Sequence, residues 1–359
     1  GEKHEDAQVE LLEADPNVWI IRSATRTFAT LAVYVDDLIC LGPTPCVRAA
    51  LTASGKLWKC SAPKVLSEAG GVDFNGFSLQ WTEEGIRVHQ DRYTEDLLSR
   101  YEEIQGEADL PALKAFEEPE QESGLDYKAN LKRAQTVAGE LLWLSTHTRL
   151  DLAYPCSVIG SLVSKAPSQA IERSAQVIKY LRKFPRAGLL YGPAPKDLGK
   201  GDSLSVTRDS STLEAYSDAS FAPSAGKSHH GVILSLGGAP VHWTSQRQPF
   251  ITMSTAEAEL VAVCAAAQGL QALEPLVHEL EGSAPRVVIY TDNLAAISLV
   301  TLPGGSWRTR HLRIRANWIR ERTEQGWTVT HLPGLELPAD LLTKPLDGAR
   351  TAYLKGLLG

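Results

Sequence analysis

The chain has 359 residues, 43% of them hydrophobic and 22% charged, which is typical of a globular protein with two or three domains. We expect no membrane-spanning helix, because no apolar run reaches the roughly 18 residues that one requires, and no signal peptide, because the first ten residues are mostly polar. The net charge of −7 at pH 7 is unfavourable for binding polyanions unless basic residues cluster locally.

The cysteines and the first residue add further limits. The five cysteines include no Cys-x-x-Cys pair, which argues against a zinc knuckle and against a disulfide framework. An odd number of dispersed thiols fits a reducing compartment, so we do not expect a secreted protein. The chain begins with Gly1 instead of Met, which indicates a piece of a longer product.

The first two thirds of the chain predict strands, then helices between polar linkers. Residues 31–41 predict a β-hairpin with Asp36 and Asp37 at its bend. Short strands follow at residues 71–81 and 85–89. Helices follow at residues 91–101, 131–146 and 168–184. Acidic residues and prolines predict a linker before the last two helices, and a segment rich in Gly, Pro, Ser and Lys predicts another after them.

The last third alternates strands and helices. Three strands predict an antiparallel meander, at residues 213–217, 231–236 and 241–245. A long helix over residues 255–281 follows, and then come a strand at 286–290, helices, a strand at 327–330 and a closing helix that begins at Pro338.

Four acidic residues stand beside apolar runs in stretches that lie far apart in the chain: Tyr216-Ser217-Asp218, Ala258-Glu259-Leu260, Thr291-Asp292-Asn293 and Ala339-Asp340-Leu341. Two divalent cations about 4 Å apart can clamp the attacking and leaving oxygens of a phosphodiester, and carboxylate oxygens suit Mg²⁺ or Mn²⁺. Because one element cannot supply four converging carboxylates, several strands and helices must contribute them. The set therefore predicts a two-metal nuclease.

These motifs, in this order, resemble those of copia-type retrotransposon Pol polyproteins. Residues 213–346 are similar to the ribonuclease H domain, in Tyr216-Ser217-Asp218-Ala219, Ser254-Thr255-Ala256-Glu257-Ala258-Glu259, Thr291-Asp292-Asn293 and Ala339-Asp340-Leu341-Leu342-Thr343-Lys344-Pro345-Leu346. The preceding part resembles the end of the reverse transcriptase, in Tyr34-Val35-Asp36-Asp37 and in Thr148-Arg149-Leu150-Asp151-Leu152-Ala153-Tyr154.

The resemblance implies an α+β or α/β chain, in which a partial polymerase palm and thumb-connection remnant precede a ribonuclease H-like mixed five-stranded sheet with helices. We divide the chain accordingly into six parts. They are the end of the palm and start of the thumb (1–105), an acidic linker (106–130), a helical connection (131–192), a linker (193–212), the ribonuclease H-like domain (213–347) and a C-terminal tail or helix (348–359).

Glu257 and Glu259 compete for the helical position in the predicted metal site. Ser254 followed three residues later by Glu257 fits a capping box, which gives Glu257 a structural role. Glu259 adjoins the apolar stripe of the predicted helix, so its side chain can lean toward the sheet. In the family, the glutamate ligand is likewise the one followed by a large apolar residue. We therefore predict Glu259 as the ligand.

Structural roles stay open for two other acids. Asp292 could cap the helix that follows it, but Asn293 could take that role and leave Asp292 free. Asp340 could complement a helix dipole in a first turn. The resemblance to the motif Ala-Asp-x-Leu-Thr-Lys favours a ligand role for Asp340.

Asp36 and Asp37 resemble the paired aspartates of the polymerase catalytic loop. In the family they work with a further aspartate on an earlier palm strand, and the candidates here, Asp6 and Asp15, lie in a polar stretch unlike that strand. We therefore interpret the polymerase centre as a remnant.

Six arginines between residues 307 and 322 stand against Glu321 alone. One helical face carries His311, Arg315, Trp318 and Arg322, and Arg308 and Arg310 precede it. A solvated charged face is the alternative, but so many arginines in an acidic chain favour contacts with nucleic-acid phosphates.

The resemblance thus implies a ribonuclease H that hydrolyses the RNA strand of RNA–DNA hybrids with two Mg²⁺ or Mn²⁺ ions, held by Asp218, Glu259, Asp292 and Asp340. Its expected partners are the hybrid and the remainder of the Pol polyprotein, without a membrane, in the cytoplasm, a virus-like particle or the nucleus. The alternative is an inactive retrotransposon-derived remnant that binds nucleic acid or has no enzymatic role.

Overall fold

The computed structural model describes residues 8–23, 26–67, 70–113, 117–192, 211–222, 226–301 and 312–358. The chain divides into two compact units. One comprises Gly1–Val88 with Gln271–Pro285, and the other His89–Leu270 with Arg286–Gly359.

The first unit is built on a four-stranded antiparallel sheet. Its strands follow one another in chain order: β1 (Gln8–Leu11), β2 (Val18–Ser23), β3 (Arg26–Tyr34) and β4 (Asp37–Leu41). The predicted hairpin is the β3–β4 pair, in which Tyr34 lies opposite Asp37. Further elements complete the unit: α1 (Thr44–Leu57), β5 (Val72–Phe74), β6 (Phe77–Thr82) and β7 (Gly85–His89).

The second unit begins with a helical segment. It contains α2 (Asp91–Arg100), α3 (Tyr127–Ser145), a 3-10 turn (Leu150–Leu152), α4 (Ala153–Leu162), α5 (Pro167–Lys183) and β8 (Leu189–Tyr191). The sequence predicted α2, α3 and α5 from their amphipathic spacing, but not α4. Helix α4 is buried on nearly every side, so its sequence lacks the alternation of apolar and polar faces on which such a prediction depends.

The acidic segment that was predicted as a linker lies against α5. The side chain of Gln176 donates to the carbonyl of Leu110 at 2.7 Å, and the backbone N of Ala108 donates to the carbonyl of Lys179 at 3.1 Å. Glu122 accepts hydrogen bonds from the backbone N and the hydroxyl of Ser168 in the first turn of α5. Helix α5 therefore supports this irregular stretch, while the domain boundaries stay predictions.

The rest of the second unit is a mixed sheet with helices. Its elements are β9 (Thr212–Ser220), β10 (His229–Leu236), β11 (Ala239–Arg247), α6 (Thr255–Glu281), β12 (Arg286–Thr291), α7 (Leu294–Thr301), α8 (Arg313–Glu324), β13 (Thr328–His331), two 3-10 turns (Gly334–Glu336 and Pro338–Leu342) and α9 (Gly348–Gly356). Of α6, the residues up to Leu270 belong to this unit and those from Gln271 to the first. The strand order is β11-β10-β9-β12-β13, with β9, β10 and β11 antiparallel and β12 parallel to β9 and β13. This arrangement confirms the predicted ribonuclease H-like sheet.

The closing helix predicted from Pro338 is instead a 3-10 turn followed by a separate helix. The turn ends at Leu342, and α9 begins only at Gly348. Pro345 lacks a backbone donor and disfavours helical geometry in the residue before it, so a helix begun at Pro338 cannot continue through this position. Asp340 therefore lies on a short turn that packs against β9 and β10.

Helix α6 is long and apolar enough to cross a membrane when judged by length and composition alone, contrary to the expectation from the sequence. Such a test is also passed by core helices. Half of the apolar window is buried inside the protein, and residues 258–267 of this helix are almost entirely buried. Here α6 is part of the core that supports the sheet.

Candidate metal centre

Asp218 lies near the end of β9, directly opposite Gly231 of β10. Its carboxylate is buried, and the hydroxyl of Thr343 donates a hydrogen bond to it. A Cβ atom on Gly231 would come within 2.5 Å of the Cβ atom of Leu342. Only glycine therefore allows the turn Pro338–Leu342 to approach the strand closely, and this approach brings Thr343 to Asp218.

The first turns of α6 separate the roles of its two glutamates. The backbone N of Glu257 donates to the hydroxyl of Ser254 at 3.2 Å, and the carboxylate of Glu257 accepts from the backbone N of Met253 at 2.6 Å. This matches the predicted capping arrangement, except that Glu257 reaches the amide of Met253 and not that of Ser254. Glu259 is only 6% exposed, and its Oε2 atom has no hydrogen-bond partner.

Asp292 follows β12, and Asn293 caps the next helix. The side-chain oxygen of Asn293 accepts a hydrogen bond from the backbone N of Ala296 at 2.9 Å, so the capping role predicted for Asn293 is present. Asp292 lies instead against the backbone of Gly334, where a Cβ atom would come within 2.7 Å of Oδ2. Because β9 and β12 are parallel, their carboxyl ends bring Asp218 and Asp292 to one edge of the sheet.

Three of the four predicted acids converge. Asp218, Glu259 and Asp292 each present a carboxylate oxygen within 4.8 Å of the others, and they form the one such group of potential metal ligands in the described part of the chain. The Oε2 atom of buried Glu259 has no hydrogen-bond partner, whereas buried carboxylate oxygens ordinarily have one, and this fits a role as a cation ligand. Three carboxylates are a donor set that fits Mg²⁺ or Mn²⁺.

Burial and mutual repulsion raise the pKa values of these carboxyls. Burial, with the neighbouring charges of Asp218 and Asp292, raises the pKa of Glu259 to about 9. Burial is also the largest cause for Asp218, whose pKa rises to about 6 although Lys344 lowers it. The pKa of Asp292 is raised by burial and by Asp340. A bound cation would favour the charged forms and so reverse these shifts.

Asp340 lies beside this group but is held by two basic residues. Lys344 Nζ is 2.6 Å from Asp340 Oδ1 and 3.7 Å from Asp218 Oδ2. Arg350 Nη2 is 3.3 Å from Asp340 Oδ2 and donates to the carbonyl of Gly334 at 2.5 Å. The sequence analysis missed both basic residues, although Lys344 stands four residues after Asp340 in the motif that carried the resemblance.

Asp36 and Asp37 are placed very differently. Both are exposed. Asp36 lies at the tip of the β3–β4 hairpin, and Asp37 is the first residue of β4. Among the residues that the structure describes, no third acidic, histidine or cysteine side chain joins them in a potential metal group. Val35 in the same turn has a φ of 51°, which is uncommon for a β-branched residue. Asp6, one of the two upstream candidates, lies outside the described residues.

The arginine-rich segment is described in part. Arg308, Arg310 and His311 lie outside the described residues. Along α8, the guanidinium of Arg315 lies 4.8 Å from the centre of the Phe250 ring, and that of Arg322 lies 5.8 Å from the centre of the Trp318 ring. Stacking of this kind uses the face of a guanidinium and leaves its N–H edges for other partners.

A buried ionic network connects the helical segment to the C-terminal helix. Arg149 makes two 3.0 Å hydrogen bonds to Asp151, which also accepts from Tyr180 at 2.7 Å and from Lys355 at 3.1 Å. The indole of Trp243 on β11 donates to the carbonyl of Ser145 at 2.6 Å. Nothing in the linear pattern marks Arg149 and Asp151 as buried, so the sequence alone did not reveal this connection.

Comparisons with known proteins find relatives in sequence and similar solved structures. No protein-family model matches the chain. It is 25% identical over 354 residues to "Retrovirus-related Pol polyprotein from transposon TNT 1-94" of Nicotiana tabacum, and 28% identical over 346 residues to that from transposon RE2 of Arabidopsis thaliana. These alignments cover 96% and 93% of this chain but only 25% and 22% of the relatives, so the chain spans about a quarter of their length.

Solved structures give weaker overall similarity. Ribonuclease H1 from Halobacterium salinarum NRC-1 is 19% identical, covers 37% of this chain and 94% of its own, and has a TM-score of 0.29. A foamy viral protease-reverse transcriptase is 15% identical, covers 88% of this chain and 49% of its own, and has a TM-score of 0.26.

The strand order therefore defines the class, a ribonuclease H-like fold that carries a cluster of buried carboxylates. The relatives align with nearly the whole chain, which is a homologue of the retrovirus-related Pol polyproteins of transposons, as its motifs predicted.

Proposed function

We propose that this chain is the nuclease part of a retrotransposon Pol polyprotein and hydrolyses the RNA strand of RNA–DNA hybrids. The observation that carries the proposal is the convergence of Asp218, Glu259 and Asp292 at the end of two parallel strands. They arrive from β9, α6 and the residue after β12, in the order in which the family resemblance predicts ligands.

The three carboxylates would hold the metal ions, and Asp340 would complete the set. Bound Mg²⁺ or Mn²⁺ supplies a water activated as nucleophile and charge stabilisation for the departing 3′ oxygen. The chain contributes orientation: Thr343 fixes the carboxylate of Asp218, and Asn293 caps α7 so that Asp292 need not. Arg350 ties Asp340 to the loop that lies against Asp292.

A hybrid substrate follows from the relationship to Pol polyproteins, in which a DNA strand is copied from an RNA template. Discrimination in favour of RNA would depend on contacts to 2′-hydroxyl groups across the shallow minor groove. Arg315 and Arg322 of α8 would contact phosphates through guanidinium N–H groups, although Nη1 of Arg322 donates to the side-chain oxygen of Gln325 at 2.8 Å. The proposed partners are the hybrid and the remainder of the polyprotein, in the cytoplasm, a virus-like particle or the nucleus.

A catalytically inactive remnant is the second candidate. For the part that resembles a polymerase it is favoured because Asp36 and Asp37 are exposed and no third potential ligand joins them among the described residues. We expect no primer extension by this chain. Glu259 is buried with its Oε2 atom unpartnered, which is unfavourable for a carboxylate and supports a retained nuclease site.

The test is a cleavage assay with purified protein on a hybrid whose RNA strand is labelled. We expect cleavage with Mg²⁺ or Mn²⁺, none with a chelator, and little action on duplex DNA of the same sequence. Absence of cleavage by folded protein, across metals and hybrid lengths, would favour the inactive remnant.

A further inference from the structure

Lys344 brings a positive charge into the acidic centre. Its ammonium lies 2.6 Å from Asp340 Oδ1 and 3.7 Å from Asp218 Oδ2. One cation thus bridges a member of the converging group and the fourth predicted acid. A metal ion shared by Asp218 and Asp340 would have to lie between the same two carboxylates as the ammonium of Lys344.

Lys344 and Arg350 hold Asp340 in different ways. Arg350 is 17% exposed, and its guanidinium also donates to the carbonyls of Gly334 and Leu335, so it is fixed by the turn as well as by the carboxylate. The side chain of Lys344 is 43% exposed and ends in a single flexible ammonium. Of the two basic residues, Lys344 is the one that can leave without breaking the local backbone contacts.

The contacts of Lys344 oppose those of a bound metal ion. If Asp340 Oδ1 held the ammonium at 2.6 Å and a divalent cation at about 2.1 Å together, two positive charges would lie within about 5 Å of each other, and their repulsion disfavours joint occupancy. The acids of the centre therefore have two alternative partners, one internal and one from solution.

We propose that Lys344 is an internal counter-ion that competes with a divalent cation for Asp218 and Asp340. Without metal, the ammonium offsets repulsion among the crowded carboxylates. Metal binding at these oxygens displaces the ammonium toward solvent. The inference deepens the proposed function, since it depends on the same metal site.

The experiment is calorimetric titration of the full chain with Mn²⁺ at fixed pH and ionic strength, without nucleic acid. Lys344→Met should tighten Mn²⁺ binding by at least about tenfold, because no ammonium has to be displaced. Lys344→Arg keeps the charge and should stay closer to the wild type than to Lys344→Met. Lys132→Met, which removes an exposed lysine from α3, is the matched control and should leave the affinity unchanged.

Unfolding of the same proteins gives a second measurement. Metal-free Lys344→Met should unfold at lower temperature than the wild type, and Mn²⁺ should raise its melting temperature more than it raises that of the wild type. If Lys344→Met does not fold without metal, Lys344→Gln provides the same comparison with a polar side chain. The proposal would be overturned if Lys344→Met and Lys344→Gln both fold without metal and bind Mn²⁺ with the affinity of the wild type.

These outcomes can be told apart from failure of the proposed function. If Lys344→Met binds Mn²⁺ more tightly but the wild type cleaves no hybrid, the competition is present and the nuclease function is wrong. If the wild type cleaves hybrid but the Lys344 variants bind Mn²⁺ as the wild type does, the function stands and the competition is wrong. Asp218→Asn, which should abolish binding, shows that the titration reports this site.

Discussion

The two groups of aspartates in this chain have similar sequence surroundings and very different structural ones. Asp218 lies near the end of β9 and Asp292 directly after β12, and both converge with Glu259. Asp218 and Glu259 are buried and Asp292 is half-buried. Asp36 and Asp37 lie exposed at a two-stranded hairpin. An acidic motif therefore becomes a candidate metal centre only where the fold supplies a third ligand from another element.

The difference follows from topology. Parallel strands end at a common edge, so residues that are 74 positions apart, 218 and 292, meet there. A hairpin joins neighbours in sequence, and its tip meets other elements only if further strands and helices are built around it. Among the described residues, no third acidic, histidine or cysteine side chain joins Asp36 and Asp37 in a potential metal group.

The largest expected effect is the contrast between Asp218→Asn and Asp36→Asn. Loss of a carboxylate ligand should reduce hybrid cleavage by at least about 100-fold, more than the 10–100-fold typical of residues that only support a ligand. Asp36→Asn makes the same chemical change in the exposed hairpin and should leave the rate within about twofold of the wild type. Initial cleavage rates at saturating Mn²⁺ measure both effects. Equal losses of rate in the two variants would contradict the proposed difference between the two groups of aspartates.

Much of this comparison could be predicted from the sequence. The strands and helices around Asp218 and Asp292 have clear periodicity, and the helix predicted at residues 255–281 agrees with α6. Lys344, Arg350 and Arg149 could not be placed, because each makes a contact with a residue far away in the chain: Lys344 with Asp218, Arg350 with Gly334 and Arg149 with Phe184. The turn that carries Asp340 was predicted as a helix, but Pro345 prevents a helix begun at Pro338 from continuing.

The next largest expected effect distinguishes the roles of Glu257 and Glu259 in α6. Glu259→Gln should reduce cleavage by about 10-fold or more, because its unpartnered carboxylate oxygen faces the other two acids. Glu257→Gln should keep most of the activity and lower the free energy of unfolding by about 1 kcal/mol, through weakening of the helix cap. Rates and chemical denaturation of both variants separate the roles. A reversed pattern would reassign the metal ligand to Glu257.

The raised pKa values predict how metal-free stability depends on pH. The pKa of Glu259 rises from 4.5 to about 9, so the folded state binds its proton more tightly than the unfolded chain does. The stabilisation of the folded state by this proton is fully present below about pH 4.5. It is lost as the pH rises to about 9, so that the free energy of unfolding falls by up to about 1.4 kcal/mol per pH unit. Asp218 adds a smaller loss between about pH 3.8 and 6.

Denaturation at several pH values, with a chelator and then with Mg²⁺, tests this dependence. Saturating Mg²⁺ should flatten the decline, because metal binding favours the charged carboxylates. Glu259→Gln should remove most of the decline without metal. Stability that is constant between pH 5 and 9 in the metal-free wild type would contradict the account of crowded, buried carboxyls.

The smallest expected effect concerns the arginines of α8. If Arg315 and Arg322 each neutralise a phosphate, replacing both should reduce the slope of log affinity against log salt by about 2. Catalysis at saturating hybrid should persist, since neither residue lies in the acidic group. Replacement of Lys128 and Lys132 on α3 removes the same charge elsewhere and serves as the control. An unchanged slope would mean that stacking on Phe250 and Trp318 is the main role of these arginines.

The most direct test of the central claim is a crystal structure of the chain soaked with Mn²⁺, in which anomalous scattering locates the ions. The account predicts manganese at about 2.1–2.2 Å from carboxylate oxygens of Asp218, Glu259 and Asp292, with the ammonium of Lys344 moved away from Asp340. A map at millimolar Mn²⁺ with no anomalous density among these three carboxylates would contradict it.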